Sequence, residues 1–232
     1  SPLGHTAAKI LERMLNESNL VPAKVRVINA GQVSYSPSLE YLFLKTTLLD
    51  LEPDIVLLNL DMTDVQDDYI YSSIAEYDDK GLLKAIAKRD SKIWVKALHK
   101  PSQVFTWFHT HFYMVQLLEH LSHFEWNKRA ANVIPGRLAN DRLGPTREKV
   151  DYTKHYKTTF SYLLNIRDLL AQKGIPFLVF VYPHGHQTAP REWRDGRKAY
   201  AFDEDKVYTG TFFLFLANAC REFRMNCYLL LD

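Results

Sequence analysis

Cysteine is scarce in this chain: Cys220 and Cys227 are the only two among 232 residues. The first falls on an expected helix and the second enters an expected strand, so no disulfide framework of the kind that staples small secreted domains is implied. The compartment stays open between cytoplasmic and periplasmic or extracellular. Long apolar runs are lacking as well. None reaches the roughly 20 residues a membrane helix needs, and no charged-then-apolar leader precedes the first element. No membrane span is therefore expected. Charge of one sign is also missing: 29 basic and 27 acidic residues, a formal +2, are spread along the whole length. Without a polybasic tract to follow a phosphate backbone, nucleic acid is excluded as an expected partner. There is no Gly-rich phosphate loop, which ranks a flavodoxin-like nucleotide-binding domain last among the readings and calls for no cofactor. No internal repeat or low-complexity segment occurs.

With 47% hydrophobic residues, the chain is long enough to bury the core of one α/β domain, which the reading takes as 1–232. It opens on Ser1-Pro2 and stops at Asp232 directly after an apolar stretch; both termini are expected to be cut. Ala7, Ile10, Leu11, Met14 and Leu15 recur at helical spacing, and Pro22 then punctuates before an apolar run read as a strand at 24–28. Ser36-Pro37-Ser38 can start a helix running to about Asp50, stopped by Pro53. Residues 54–60 form a continuous apolar run of strand length, the pattern of a parallel strand buried on both faces. Phe177 to Tyr182 is a second such run, closed by Pro183. A helix over 208–223 and a strand over 227–231 complete the alternation, which predicts a parallel sheet covered on both sides. The hundred-odd residues between the 54–60 and 177–182 strands exceed a normal crossover. A helical insertion is expected at about 66–165, with an aromatic-rich helix near 103–126 that serves as a lid or, more simply, as a cap on the core.

Two stretches carry the chemistry. Val-Ile-Asn-Ala-Gly-Gln-Val-Ser-Tyr-Ser spans 27–36, and Asp-Ile-Val-Leu-Leu-Asn-Leu-Asp-Met-Thr-Asp spans 54–64. They resemble the second and third blocks of an SGNH (GDSL-type) hydrolase, with Asp61-Met62-Thr63-Asp64 standing where Gly-X-Asn-Asp is usual. The resemblance covers 6–65 well and 165–232 more loosely. It implies a flavodoxin-like three-layer α/β/α fold and an acyl-transfer site in which Gly31 and the corner of Thr63 and Asp64 hold a developing oxyanion. Thr63 would supply a hydroxyl donor in place of an amide, and Asp61 replaces a Gly. A plainer reading makes the second stretch a turn whose carboxylates are caps, and Gly31 a residue that merely permits a tight turn.

The family's Gly-Asp-Ser nucleophile and Asp-X-X-His base occur nowhere in the sequence. Ser1, which leads straight into a helix, is no substitute. The resemblance therefore implies an esterase or acyl hydrolase, acting on a small-molecule or carbohydrate ester, of which this chain holds the oxyanion half and is inert alone. The central strand is then missing, leaving the 24–28 and 54–60 strands roughly 10 Å apart, twice the normal spacing. The alternative is a non-catalytic carbohydrate-binding or assembly module on the same fold.

His184-Gly185-His186 follows the 177–182 strand and belongs at the sheet's C-terminal rim, where a substrate wall, a plain loop and a metal pair compete as roles. His109, His111, His120 and His123 form a second histidine group, more simply packed or solvated than metal-binding. In Arg191-Glu192-Trp193-Arg194-Asp195-Gly196-Arg197-Lys198, Arg191 is a candidate for anion or sugar contact beside the histidines, against the plain reading of a solvated charged loop. No metal site is expected.

Overall fold

The computed structural model describes residues 6–18, 22–32, 35–86 and 151–231. The expected helix at 103–126, the second histidine group and Ser1 lie outside the described residues. The chain divides into two compact units, Ser1–Tyr35 and Ser36–Asp232.

In the first unit, α1 (Ala7–Glu17) starts at Thr6, whose hydroxyl accepts from the Lys9 N–H. The 24–28 run does not join a sheet: no strand is formed over 22–32. Side chains of α1 take the place of a neighbouring strand. Asn16 donates to Val25 O at 2.9 Å and accepts from Val25 N–H at 2.9 Å, and Glu12 accepts from Val27 N–H at 2.7 Å. Three backbone groups of this segment are satisfied this way without a ladder.

The second unit is built on a parallel sheet in the order β1-β4-β5: β1 (Val56–Leu60), β4 (Phe177–Val181) and β5 (Cys227–Leu229). Leu58 lies opposite Val179, which lies opposite Cys227; Leu60, Val181 and Leu229 form the next row. Parallel pairing needs long crossovers, and helices supply them. After β1 comes α3 (Met62–Ser72), before it α2 (Pro37–Thr46), and before β4 the long α4 (Thr153–Ala171). Tyr156, Phe160, Leu163, Ile166 and Leu170 make the buried stripe of α4, at the spacing expected of one helical face. That stripe packs with Leu58, Leu60, Phe177, Val179 and Val181 in one core. α7 (Phe212–Glu222) adds Phe212, Leu216 and Ala219.

The opposite face of the sheet stays open within the described residues: Leu57, Tyr228 and Leu230 are all exposed. The α/β class and the parallel sheet thus agree with the sequence reading, whereas described helices lie over one face. At the ends of the expected insertion, residues 66–72 belong to α3 and 153–165 to α4, both packed into this core.

An element with no counterpart in the sequence reading is the hairpin of β2 (Ala75–Tyr77) and β3 (Leu83–Ile86). Asp78 Oδ1 accepts from Lys80 N–H and Leu82 N–H, and Gly81 takes φ 74° to close the turn. The signal is Asp-Asp-Lys-Gly, a turn in which Asp bonds its own backbone and Gly takes the left-handed position. Tyr77 reaches Tyr162 of α4 with their hydroxyls 2.8 Å apart.

The expectation for the cysteines is corrected. Cys220, at the end of α7, and Cys227 are disulfide-bonded, their Cα atoms 6.1 Å apart. Arg224 turns the chain back with φ 50°, and Met225 N–H bonds Cys220 O at 2.9 Å. This reversal makes a spacing of seven equivalent to direct proximity. Protein denatured without reductant is therefore expected to show no titratable thiol, and the double change Cys220→Ser with Cys227→Ser to lower unfolding stability by about 2 kcal/mol. Thiol titration and denaturant unfolding check both.

Candidate functional site

The C-terminal tips of β1 and β4 are neighbours, because the two strands are parallel and paired in register. In an open α/β sheet this is the rim where ligands bind. β1 ends at Leu60, and Asp61 turns the chain into α3 with extended backbone, φ −126° and ψ 173°. Its carboxylate caps the helix by accepting from Thr63 N–H at 2.6 Å, while Asp64 Oδ2 reaches back to Asp61 N–H at 2.9 Å. This is a capping box, which satisfies two otherwise orphaned donors. The Thr63 hydroxyl donates to Asp61 Oδ1 too.

The partner strand brings the rest. Tyr182 continues the ladder through Tyr182 N–H to Leu60 O at 3.1 Å, and its phenol donates to Asp61 Oδ2 at 2.8 Å. His184 Nε2 lies 3.6 Å from Asp61 Oδ1, an ion pair whenever the ring is protonated. Its side chain is 23% exposed, with Nε2 itself buried. Asp61 is therefore where the two strand tips meet.

Electrostatics follow from those contacts. Burial works to raise the Asp61 carboxyl, but His184, Thr63 and Tyr182 together hold it well below the usual carboxylate range. Burial, with the charge of Asp61 beside it, pushes Asp64 well above that range. Burial and Asp61 likewise push the Tyr182 phenol up. Two adjacent carboxyls are thus pushed in opposite directions, the kind of divergence that separates bases from acids in active sites.

Of the residues singled out from sequence, Thr63, Asp64 and His184 gather here, and the structure gives Thr63 and Asp64 a capping role as well. Gly31 lies in the first unit, where its N–H donates to the Asn29 side chain at 3.1 Å. His186 is wholly buried, its ring stacked 4.5 Å from Phe202. Arg191 is exposed and pairs with Asp205 at 3.0 Å. No group of three or more His, Cys, Asp or Glu among the described residues has the geometry to hold a metal ion. No helix of the described residues is long and apolar enough to cross a membrane.

The residue that sequence reasoning missed is Arg197. It is 0% exposed, at the heart of the segment 184–208. Nε donates to Glu192 O at 2.7 Å, Nη1 to Asp203 O at 2.6 Å and Lys206 O at 2.8 Å, and Nη2 to Ala189 O at 2.8 Å and His186 O at 3.3 Å. Five donors meet five backbone carbonyls, which is the full capacity of a guanidinium. That net offsets the cost of three non-glycine residues in the left-handed region, Arg191, Trp193 and Ala201. Trp193 closes over Gly196, where any Cβ would come within 1.9 Å of the indole, and sets its ring 5.6 Å from that of His184. The loop carrying His184 is thus built around one buried cation.

Compared with protein-family models, curated proteins and solved structures, the chain matches none.

Arg197→Lys, which supplies three donors for five carbonyls, is expected to cost about 3 kcal/mol of stability. Limited proteolysis should then cut first within 184–208, where wild type resists.

Proposed function

We propose that this chain is an SGNH-hydrolase-like domain whose rim, at the tips of β1 and β4, binds a small-molecule or carbohydrate ester. The observation that carries the reading is the convergence of Thr63, Asp64, Tyr182 and His184 on Asp61. The strand order supports it: β1-β4-β5 corresponds to the last three lanes of the flavodoxin-like order 2-1-3-4-5. The free edge of β1 within the described sheet is then where the Gly-Asp-Ser strand belongs. In this reading Thr63 belongs to the oxyanion corner of the rim, and Ser and His act from outside the chain.

The chain by itself does not turn an ester over. Neither Gly-Asp-Ser nor Asp-X-X-His occurs in it, and both proposed donors are engaged internally, Gly31 N–H by Asn29 and the Thr63 hydroxyl by Asp61. The same engagement favours a second reading, a carbohydrate-binding or assembly module that keeps the fold without the chemistry.

One measurement decides. A short-chain p-nitrophenyl ester should show no turnover above buffer; turnover that Gly31→Trp abolishes would overturn the inert half.

A further inference from the structure

The turn that follows β4 carries a residue whose donors nothing in the fold uses. Gln187 is 1% exposed and lies on the short helical turn Gly185–Thr188, which the chain enters from the rim. Its Oε1 accepts from His184 N–H at 2.9 Å. That bond settles which end of the amide is oxygen and leaves Nε2 as a pure donor. Nε2 is buried and has no hydrogen-bond partner. It shares a carbon with Oε1, so it too sits next to the His184 backbone.

His184 presents a second donor of the same kind. Its side chain accepts from Gln187 N–H in the reciprocal half of the cap, so in the neutral ring the proton is on Nε2. That nitrogen is also buried without a hydrogen-bond partner, 3.6 Å from Asp61 Oδ1. A buried N–H without an acceptor is costly, and native folds hold few of them. Here two occur within four residues, on a stretch that is anchored. A Cβ on Gly185 would come within 2.8 Å of the Trp193 Cβ, and the Arg197 guanidinium takes the carbonyls of His186 and Ala189 on either side of Gln187.

We propose that Gln187 is a ligand-binding residue of the rim, whose amide, with His184 Nε2 on the same turn, donates to a carbonyl oxygen of the bound ester. The inference rests on the reading of the rim as an ester site and names the part of the ester that is held. The class follows from the neighbours. An anionic oxygen would stand against the Asp61 carboxylate, 3.6 Å from the same His184 nitrogen. A hydroxyl would bring a proton that needs an acceptor, and the Asp61 oxygen facing His184 already takes both the N–H and the hydroxyl of Thr63. A carbonyl oxygen accepts, and brings neither proton nor charge. Tyr182 at the tip of β4 is 41% exposed with its hydroxyl tied to Asp61, so an acyl group has a fixed ring to lie against.

The test is nuclear magnetic resonance of the nitrogen-15-labelled full chain with two probes: triacetin, which carries ester carbonyls, and glycerol, the same skeleton with hydroxyls alone. Triacetin should shift the Gln187 side-chain N–H signals saturably, and glycerol should not. Gln187→Glu keeps an oxygen for the His184 N–H and removes the amide donors. It should weaken triacetin binding about tenfold, read at the Tyr182 and His184 backbone signals. Should that variant not fold, the wild-type signals decide alone. Triacetin that moves the Tyr182 and His184 backbone signals while the Gln187 amide stays still overturns this inference and leaves the ester reading standing. No shift at the rim overturns both. An equal response to glycerol overturns the carbonyl assignment, as does undiminished binding by folded Gln187→Glu.

Discussion

An ionised aspartate at the end of a buried parallel strand is the constraint on which the rim depends. Asp61 caps α3 with one oxygen and takes the Tyr182 phenol with the other. It fixes in one place the start of a helix, the tip of the neighbouring strand and the ring of His184. None of these contacts is strong by itself, since a hydrogen bond to a charged group contributes about 1.5–3 kcal/mol. Their joint effect is geometric. Two strand tips that the ladder only aligns along their length are tied side to side, and Thr63, Tyr182 and His184 all meet one carboxylate.

Fold and site were legible in the sequence to different depths. The apolar runs ending at Leu60 and Val181 were readable from their continuity, although the expected burial on both faces is not seen among the described residues, where Leu57 is exposed. The helices over 7–17 and 212–222 followed from apolar spacing, and that over 37–46 from the serine and proline at its start. The run at 24–28 had the same local pattern, yet Asn16 and Glu12, nine and fifteen residues upstream, satisfy its backbone instead of a strand. Periodicity reports that a segment wants burial or bonding; it does not report what answers.

Arg197 marks the limit more sharply. The run from Arg191 to Lys198 reads as a solvated face because mixed charge usually is one, and for Arg191 the reading matches an exposed side chain. Six residues later the same residue type is fully buried. The difference lies in five carbonyls contributed by positions 186 to 206, none of which carries a side-chain signature. Tyr182 was hidden for a related reason, since its meaning arises from the register that places the two strand tips together, whereas the carboxylates of Asp61 and Asp64 do act as the caps that the plainer reading expected.

Burial also decides how much charge the rim bears. Counted from sequence, Glu40, Asp61, Asp64 and Asp68 would put four negative charges within one corner of the second unit. Low dielectric and mutual repulsion do not allow it: three of the four are pushed toward the protonated form, while Asp61 alone has enough donors to stay ionised.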